Sequence, residues 1–151
     1  MPLAQTKELR VWQENGTALL AEWDPVENTI EKMRGRLLGY RINYHEECCM
    51  TEQMALFNQV YGQQTEGMLV GLYPNTKYVI TVQVFNEAGY GPKTDPYIQD
   101  TLRSPPLEAP QEVNVFVAGS NSVRVKWRGV STDNREEPLE GYLVRFCTLA
   151  Y

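Results

Sequence analysis

An internal repeat constrains the fold of this chain more than any other feature of its sequence. The segment ELRVWQENGTALLAEW (Glu8–Trp23) resembles EVNVFVAGSNSVRVKW (Glu112–Trp127), and matching positions lie 104 residues apart. Farther along, LLGYRINY (Leu37–Tyr44) resembles LEGYLVRF (Leu139–Phe146) at a separation of 102 residues, so the first copy has a loop two residues longer. A unit of about 100 residues therefore occurs once in full and begins a second time.

Each copy opens with the pattern of short β-strands, in which apolar and polar residues alternate. The first strand is predicted near Leu9–Gln13 and again near Val113–Val117. The second strand ends on Trp23 or Trp127, and the third begins at a Gly-Tyr pair. Short antiparallel strands in a unit of about 100 residues predict an all-β, immunoglobulin-like sandwich.

A Pro-rich segment, LRSPPLEAP (Leu102–Pro110), separates the two copies and is expected to be extended and semi-rigid. We predict a first domain at residues 1–103, a linker and start of the next domain at 104–110, and a partial second domain at 111–151 with three strands. The second copy has no counterpart of Gly71–Thr94, so its two sheets are not expected to close over a core. On this interpretation the chain is a fragment, a truncated isoform or a product that needs a partner strand.

The segment GLYPNTKYVITVQVFNEAGYGPKT (Gly71–Thr94) shows the most regular alternation of the chain, between turn-forming residues. Together with two upstream positions it resembles the fibronectin type III domain over about residues 2–101. The positions that carry the resemblance are Trp23, Tyr40, Leu72, Pro74, Thr76, Tyr78, Asn86, Gly89 and Gly91. Residues 106–147, with Trp127 and Tyr142, resemble the first three strands of a second such domain.

The resemblance implies structural roles for these residues. Tyr78 would form a tyrosine corner, with its ring buried and its hydroxyl bonded to the backbone a few residues upstream. Leu72 would close the bottom of the core, and Trp23 would pack between the sheets. Gly89 and Gly91 would shape the turn that follows the strand of Tyr78. A further strand is predicted at Ala55–Tyr61.

Composition and charge exclude several classes of function. The chain is 42% hydrophobic and 22% charged, which is typical of a globular protein. Its net charge of −5, without a cluster of Lys and Arg, argues against nucleic-acid binding. No apolar run approaches the roughly 20 residues of a membrane span, so no direct membrane insertion is predicted for this segment. The N-terminus lacks the apolar core of a signal peptide.

No catalytic, cofactor-binding or metal-binding residues are predicted. His45 is the single histidine and would point outward from its strand, so no Ser or Cys has a partner that could activate it. The three cysteines have neither the spacing of a zinc site nor that of a disulfide framework. Cys48 and Cys49 are adjacent, and we expect them to be free or separately paired because a bridge between neighbours requires a strained ring. Cys147 is not expected to pair between the copies.

Four residues are candidates for surface functions. Asn15-Gly16-Thr17 fits the N-glycosylation pattern on a predicted hairpin turn, although Asn-Gly also suits the positive φ angles of such a turn. Tyr90, at a loop tip, is a candidate protein contact, with packing on the adjacent strand as the alternative. Trp12 and Phe116 occupy equivalent outward positions of the two copies, where they would mark an interface or cover a sheet edge.

Three functions are compatible with this sequence. The resemblance implies a non-enzymatic protein-binding and spacer module of an extracellular, cell-surface adhesion or receptor protein, similar to the arrays of contactin- and L1-type neural adhesion molecules. One alternative is a cytoplasmic module of a muscle-scaffold-like protein. Another is a ligand-binding receptor ectodomain, although the Trp-Ser-x-Trp-Ser pattern of the related cytokine receptors is missing. The Arg-Gly-Asp integrin site that some fibronectin type III domains carry is missing as well. The predicted partners are other proteins.

Overall fold

The structure is a computed structural model and describes residues 1–149. The predicted second domain extends to Tyr151, so its last two positions lie outside the described residues. The regular elements, in chain order, are β1 (Lys7–Asn15), β2 (Ala18–Asp24), α1 (Ile30–Met33), β3 (Gly39–Glu46), a 3₁₀ turn (Glu52–Met54), β4 (Leu56–Tyr61), β5 (Glu66–Leu69), β6 (Lys77–Asn86), β7 (Gly89–Tyr90), β8 (Tyr97–Asp100), β9 (Gln111–Gly119) and β10 (Ser122–Arg128).

Two antiparallel sheets form the first domain. One sheet has the order β1-β2-β5, and the other has the order β4-β3-β6-β7, with β8 paired to β6. Alternate residues of each strand face the space between the sheets, which is the expected pattern for strands that are buried on one face. The all-β sandwich predicted from the sequence is confirmed, and β4 begins one residue later than predicted.

The core lies between these two sheets, with Trp23 and Tyr40 at its centre. Both are almost completely buried, and their ring centroids are 5.2 Å apart. The hydroxyl of Tyr40 accepts a hydrogen bond from the backbone N–H of Val26 at 3.2 Å. Leu72 is buried as well and belongs to the same apolar cluster. Removing a buried aromatic ring of this size costs about 3–5 kcal/mol of folding free energy.

Tyr78 lies at the start of β6 and makes the bond of a tyrosine corner. Its ring is buried, and its hydroxyl accepts a hydrogen bond from the backbone N–H of Tyr73 at 2.9 Å. After β6, Gly89 has a φ of +130°, which a residue with a side chain rarely adopts. Gly91 approaches the N-terminal segment so closely that a Cβ would lie 3.0 Å from the carbonyl oxygen of Ala4.

The repeat seen in the sequence recurs in the structure of the second copy. Glu8 and Glu112, at equivalent positions, both have a positive φ, of 56° and 53°. The rings of Trp127 and Tyr142 pack with centroids 5.3 Å apart, as those of the first copy do. The Tyr142 hydroxyl also accepts a hydrogen bond from a backbone N–H, that of Val130, at 3.0 Å.

The predicted third strand of the second copy is absent from the described residues. The hairpin of β9 and β10 is present, but residues 129–149 form no strand and contribute only one isolated bridge, between Ser104 and Glu136. In the first copy the third strand, β3, is hydrogen-bonded on both sides, to β4 and to β6. Residues 141–149 have no such neighbours, and an unpaired strand leaves its backbone groups unsatisfied.

The turn at Asn15-Gly16 does not have the conformation expected from the sequence. Neither residue has a positive φ. Asn15 instead accepts hydrogen bonds through Oδ1 from the N–H and the hydroxyl of Thr17, at 2.8 and 3.1 Å. Gly16 is buried against the linker, where a Cβ would lie 3.3 Å from the carbonyl oxygen of Leu102. Close packing on the linker, rather than backbone freedom, explains this glycine.

The linker and the second copy contact the end of the first domain. Asn75 Nδ2 donates to the carbonyl oxygen of Asn134 at 2.9 Å, and the guanidinium of Arg135 lies 5.3 Å from the ring centroid of Tyr73. Ser104 exchanges backbone hydrogen bonds with the second copy at 2.9 and 2.7 Å. Buried Glu136 accepts a bond from the N–H of Leu107 at 2.9 Å. We call these contacts the junction.

Candidate protein-binding surface

The outer face of the second sheet carries aromatic and polar side chains that face away from the core. Strand alternation places Arg41 on this face of β3, and the β4 register places Gln59 directly beside it. Phe57 and Tyr61 flank Gln59 on the same face of β4, while Phe85 and Tyr90 follow on β6 and β7. We call Arg41, Phe57, Gln59, Tyr61, Phe85 and Tyr90 the patch.

The guanidinium of Arg41 lies over two aromatic rings of the patch. Its central carbon is 3.9 Å from the ring centroid of Phe57 and 4.8 Å from that of Tyr90. Rings at these distances attract a cation through the negative charge of their π faces, by about 0.5–2 kcal/mol. The two rings therefore hold the side chain of Arg41 in place.

Arg41 has no anionic partner in the described part of the chain. Nε of Arg41 is buried without a hydrogen-bond partner, and none of the ion pairs within residues 1–149 includes this residue. Arg10, on the opposite sheet, provides the contrast because it lies 3.9 Å from a Glu22 oxygen and 3.5 Å from an Asp24 oxygen. Arg41 is thus a half-buried cation whose polar edge remains unmatched.

Hydrogen bonds connect the aromatic residues of the patch to one another. Gln59 Nε2 donates to the hydroxyl of Tyr90 at 3.1 Å, and the hydroxyl of Tyr61 donates to Gln59 Oε1 at 3.3 Å. The rings of Tyr61 and Tyr90 both pack on Phe85, with centroids 6.0 and 5.8 Å away. Tyr61 is nevertheless 66% exposed, Phe57 52% and Tyr90 38%. The patch is therefore ordered and open to solvent at the same time.

A buried polar network lies beside the patch on the same sheet. Asn43 Nδ2 donates to Gln83 Oε1 at 3.1 Å, and Gln83 Nε2 donates to the carbonyl oxygen of Gly91 at 2.8 Å. The N–H of Val82 is bonded to the hydroxyl of Thr94 at 3.0 Å. These bonds connect β3, β6 and the segment after β7, so they fix the surface on which the patch lies.

The structure places the three predicted contact residues on different sheets. Tyr90 belongs to the patch, where it packs on Phe85 and also stays partly exposed. Trp12 is 54% exposed on β1, and its Nε1 donates to a Glu22 oxygen at 3.3 Å. Phe116 is 51% exposed on β9. Sequence reasoning missed Arg41, Phe57 and Tyr61, although alternating aromatic residues on the outward side of an edge strand were the available signal.

The two adjacent cysteines form a disulfide, so the expectation that they are free or separately paired is wrong. They lie in the turn after β3, where the N–H of Met50 bonds to the carbonyl oxygen of Glu46 at 3.3 Å and folds the chain back. A Glu46 carboxylate oxygen and both sulfurs lie within 4.8 Å of one another. Because the sulfurs are bonded to each other, they offer no thiolate to a metal. Cys147 is a free, exposed thiol.

Ionisation shifts occur away from the patch. Burial raises the pKa of Tyr44, and it raises that of Tyr78 although the bond from Tyr73 acts in the opposite direction. The pKa of Glu52 is lowered because Lys93 Nζ donates a hydrogen bond to it at 2.6 Å and adds a nearby positive charge.

Asn15 is exposed at its turn, where a glycan would not meet the core. Within residues 1–149, no helix has the length and apolar character that a membrane span requires.

Comparison with known proteins decides the family. The family described as "Fibronectin type III domain" matches residues 4–100. The chain belongs to the fibronectin type III family. Its sandwich is similar to the solution structure of the third fibronectin III domain of human KIAA0343 protein, at 29% identity and a TM-score of 0.64. That similarity covers 72% of this chain and 90% of the solved one.

The fibronectin type III chain is also similar to contactins. It is 34% identical to "Contactin" of Drosophila melanogaster over 131 residues, which is 87% of this chain and 9% of the relative. It is 32% identical to "Contactin-2" of Mus musculus over 135 residues, which is 88% of this chain and 12% of the relative. The chain therefore spans about a tenth of the length of these relatives. Both alignments are longer than the first domain, so they extend into the second copy.

Proposed function

We propose that this chain is a non-enzymatic, protein-binding and spacer module of a cell-surface adhesion or receptor protein. The observation that carries the proposal is the similarity to contactins, which extends beyond the first domain into the second copy. One isolated fibronectin type III domain would match proteins of many kinds, since a fold by itself does not determine a function. A tandem match to contactins favours the adhesion role over the muscle-scaffold alternative.

The spacer role rests on the junction. We propose that residues 1–103 are one domain, that 104–110 are a linker, and that 111–151 begin a second domain. The contacts of Asn75 with Asn134 and of Tyr73 with Arg135 bridge the two units directly. A Pro-rich linker is already semi-rigid, and such contacts restrict the angle between the units further. Rigid units joined at a restricted angle hold a binding site at a defined distance.

The protein-binding role rests on exposed aromatic surface. The patch combines Tyr and Arg side chains, which are enriched among the residues that contribute most to protein–protein affinity, with Phe, which is enriched at interface cores. Tyr90 is the predicted contact that belongs to it. Trp12 and Phe116 are separate exposed aromatic residues on other sheets, and we propose that they are secondary protein contacts.

An extracellular location is consistent with the chemistry of two surface features. The disulfide between Cys48 and Cys49 is exposed, and exposed disulfides persist in oxidising compartments rather than in the cytosol. Asn15 is an exposed residue in an acceptor triplet for N-linked glycans. Both features would be without consequence in a cytoplasmic muscle scaffold.

Secretion of the chain from mammalian cells, followed by mass spectrometry, tests this proposal. A signal peptide is fused to residues 1–151, and glycan occupancy is measured before and after enzymatic deglycosylation. We expect a secreted protein with a glycan on Asn15 and an intact disulfide. The Asn15→Gln variant, which retains the side-chain amide, is the control without an acceptor. Retention of the unmodified, reduced chain inside the cell would contradict the extracellular assignment.

A further inference from the structure

We propose that the patch is a docking site for a protein segment that presents a carboxylate next to an apolar side chain. The inference deepens the proposed function and rests on it, because it specifies the surface and the partner chemistry of the binding role. Arg41 supplies the charge, and Phe57, Tyr61 and Tyr90 supply the apolar area.

The requirement for an anion follows from the environment of Arg41. A half-buried guanidinium loses hydration, and this loss is compensated only if acceptors replace the water. Phe57 and Tyr90 present their π faces to the guanidinium, the hydroxyl of Tyr90 accepts from Gln59 instead, and Nε of Arg41 is buried without a partner. A carboxylate matches the planar donor edge of guanidinium in a bidentate geometry. No acceptor within residues 1–149 is paired with Nε of Arg41, and no ion pair there includes its guanidinium.

The requirement for a protein partner follows from the shape of the surface. Small ligands bind in concave pockets. Three cavities within residues 1–149 are lined by the second copy, by the end of the sandwich near Tyr44 and Tyr78, and by β9 with β10. None of them includes Arg41. A sheet face with exposed rings around a fixed cation has instead the composition of the centre of a protein interface.

The patch is also arranged before any partner binds. Gln59 is bonded to both tyrosine hydroxyls, and Arg41 is held by two rings. Side chains that are already ordered lose little conformational entropy on association, so more of the contact energy contributes to affinity. Arg10, which is paired with Glu22 and Asp24 on the opposite sheet, has no such unmatched edge and serves as the matched control.

The test is selection of random peptides displayed on phage against the complete chain. We expect the selected peptides to contain Asp or Glu near an aromatic or aliphatic residue. They should bind Arg41→Met at least about tenfold more weakly and Tyr61→Ser more weakly, while Arg10→Met binds them unchanged. In nitrogen-edited NMR spectra of the unmodified chain, a selected peptide should shift the Nε–H signal of Arg41 and leave that of Arg10 in place. This measurement does not depend on whether the variants fold.

Three results would overturn the proposal. One is that no peptide is recovered, or that the recovered peptides lack acidic residues and bind Arg41→Met as tightly as they bind the original chain. Another is Arg41-dependent dimerisation in sedimentation analysis, which would make a second copy the occupant. The third is a shift of the Arg41 Nε–H signal by sialyllactose as large as that by a selected peptide, which would make an acidic glycan the ligand. Because none of these results depends on secretion, failure of this surface is distinguishable from failure of the extracellular assignment.

Discussion

Trp127 packs against Tyr142 with ring centroids 5.3 Å apart, although Tyr142 lies in a segment without a strand. The first copy has the same pair, Trp23 and Tyr40, at 5.2 Å. The two pairs differ in burial, since Tyr40 is 1% exposed and Tyr142 is 40% exposed. The local geometry of the repeat is therefore present in both copies, while the enclosing core is present in one.

This difference predicts unequal effects of removing the two hydroxyls. Tyr40→Phe leaves the N–H of half-buried Val26 without its acceptor and should lower the free energy of unfolding by about 1 kcal/mol. Tyr142→Phe should change it by less than about 0.5 kcal/mol, because water can reach the exposed site. Urea unfolding followed by tryptophan fluorescence measures both values. Equal losses for the two variants would show that the second copy encloses its Trp–Tyr pair as tightly as the first.

Hydrogen exchange should separate the two copies. Amides of β6 lie in the middle of a sheet over the core and should exchange slowly, together with the neighbouring residues from 70 onward. Amides of β9 and β10 belong to a two-stranded hairpin with exposed side chains and should exchange fast. Mass spectrometry of the monomer after deuterium labelling checks this. Uniformly slow exchange beyond residue 112 would contradict the structure of the second copy.

The free energy of unfolding should fall at alkaline pH because of the buried tyrosines. Burial raises the pKa of Tyr78 above its ordinary value of 10.0 in the folded state, whereas the unfolded chain keeps the ordinary value. The folded state therefore holds its proton longer, and this contribution is complete below pH 10.0 and is lost as the pH rises through the folded pKa. Urea unfolding on either side of pH 10.0 measures the loss. Tyr78→Phe should be less stable at neutral pH and less sensitive to alkali, and an unchanged sensitivity would assign the effect to other residues.

The rigidity of the junction should depend on Glu136. Its buried carboxylate accepts the N–H of Leu107, so Glu136→Ala leaves the linker without an acceptor and should increase motion between the units. Nitrogen relaxation should then report different tumbling for the two units, whereas we expect them to tumble together in the original chain. Glu137→Ala removes an exposed neighbouring carboxylate and is the matched control. Independent tumbling of the unmodified chain would remove the support for a rigid spacer.

Sequence alone predicted the strands in which apolar and polar residues alternate regularly. The alternation around Tyr78 and the position of Trp23 follow from the burial of one strand face, so the sandwich could be recognised without coordinates. The short helix α1 was missed because its four residues have too little periodicity to be detected. The bond between Cys48 and Cys49 was missed because it depends on the local fold of one turn.

Only the aromatic alternation of β4 was visible in the sequence, and the contacts of the patch could not be predicted because they join residues that are distant in sequence. Arg41 meets Phe57 only through the register of β3 with β4, and it meets Tyr90 only because the sheet order places β7 beyond β6. No motif connects these positions. The missing strand of the second copy has a related cause, because β-pairing depends on which neighbouring strands are present and not only on the alternation of one segment.

Binding of the secreted chain to intact neurons tests the proposed adhesion role most directly. The chain is displayed as a dimer, and bound protein is measured by flow cytometry on cells that have not been permeabilised. We predict saturable binding that is abolished by prior protease treatment of the cells, that is weakened at least about tenfold by Arg41→Met, and that is unchanged by Arg10→Met. Absence of binding, or equal binding by the two arginine variants, would contradict a protein-binding role for this surface.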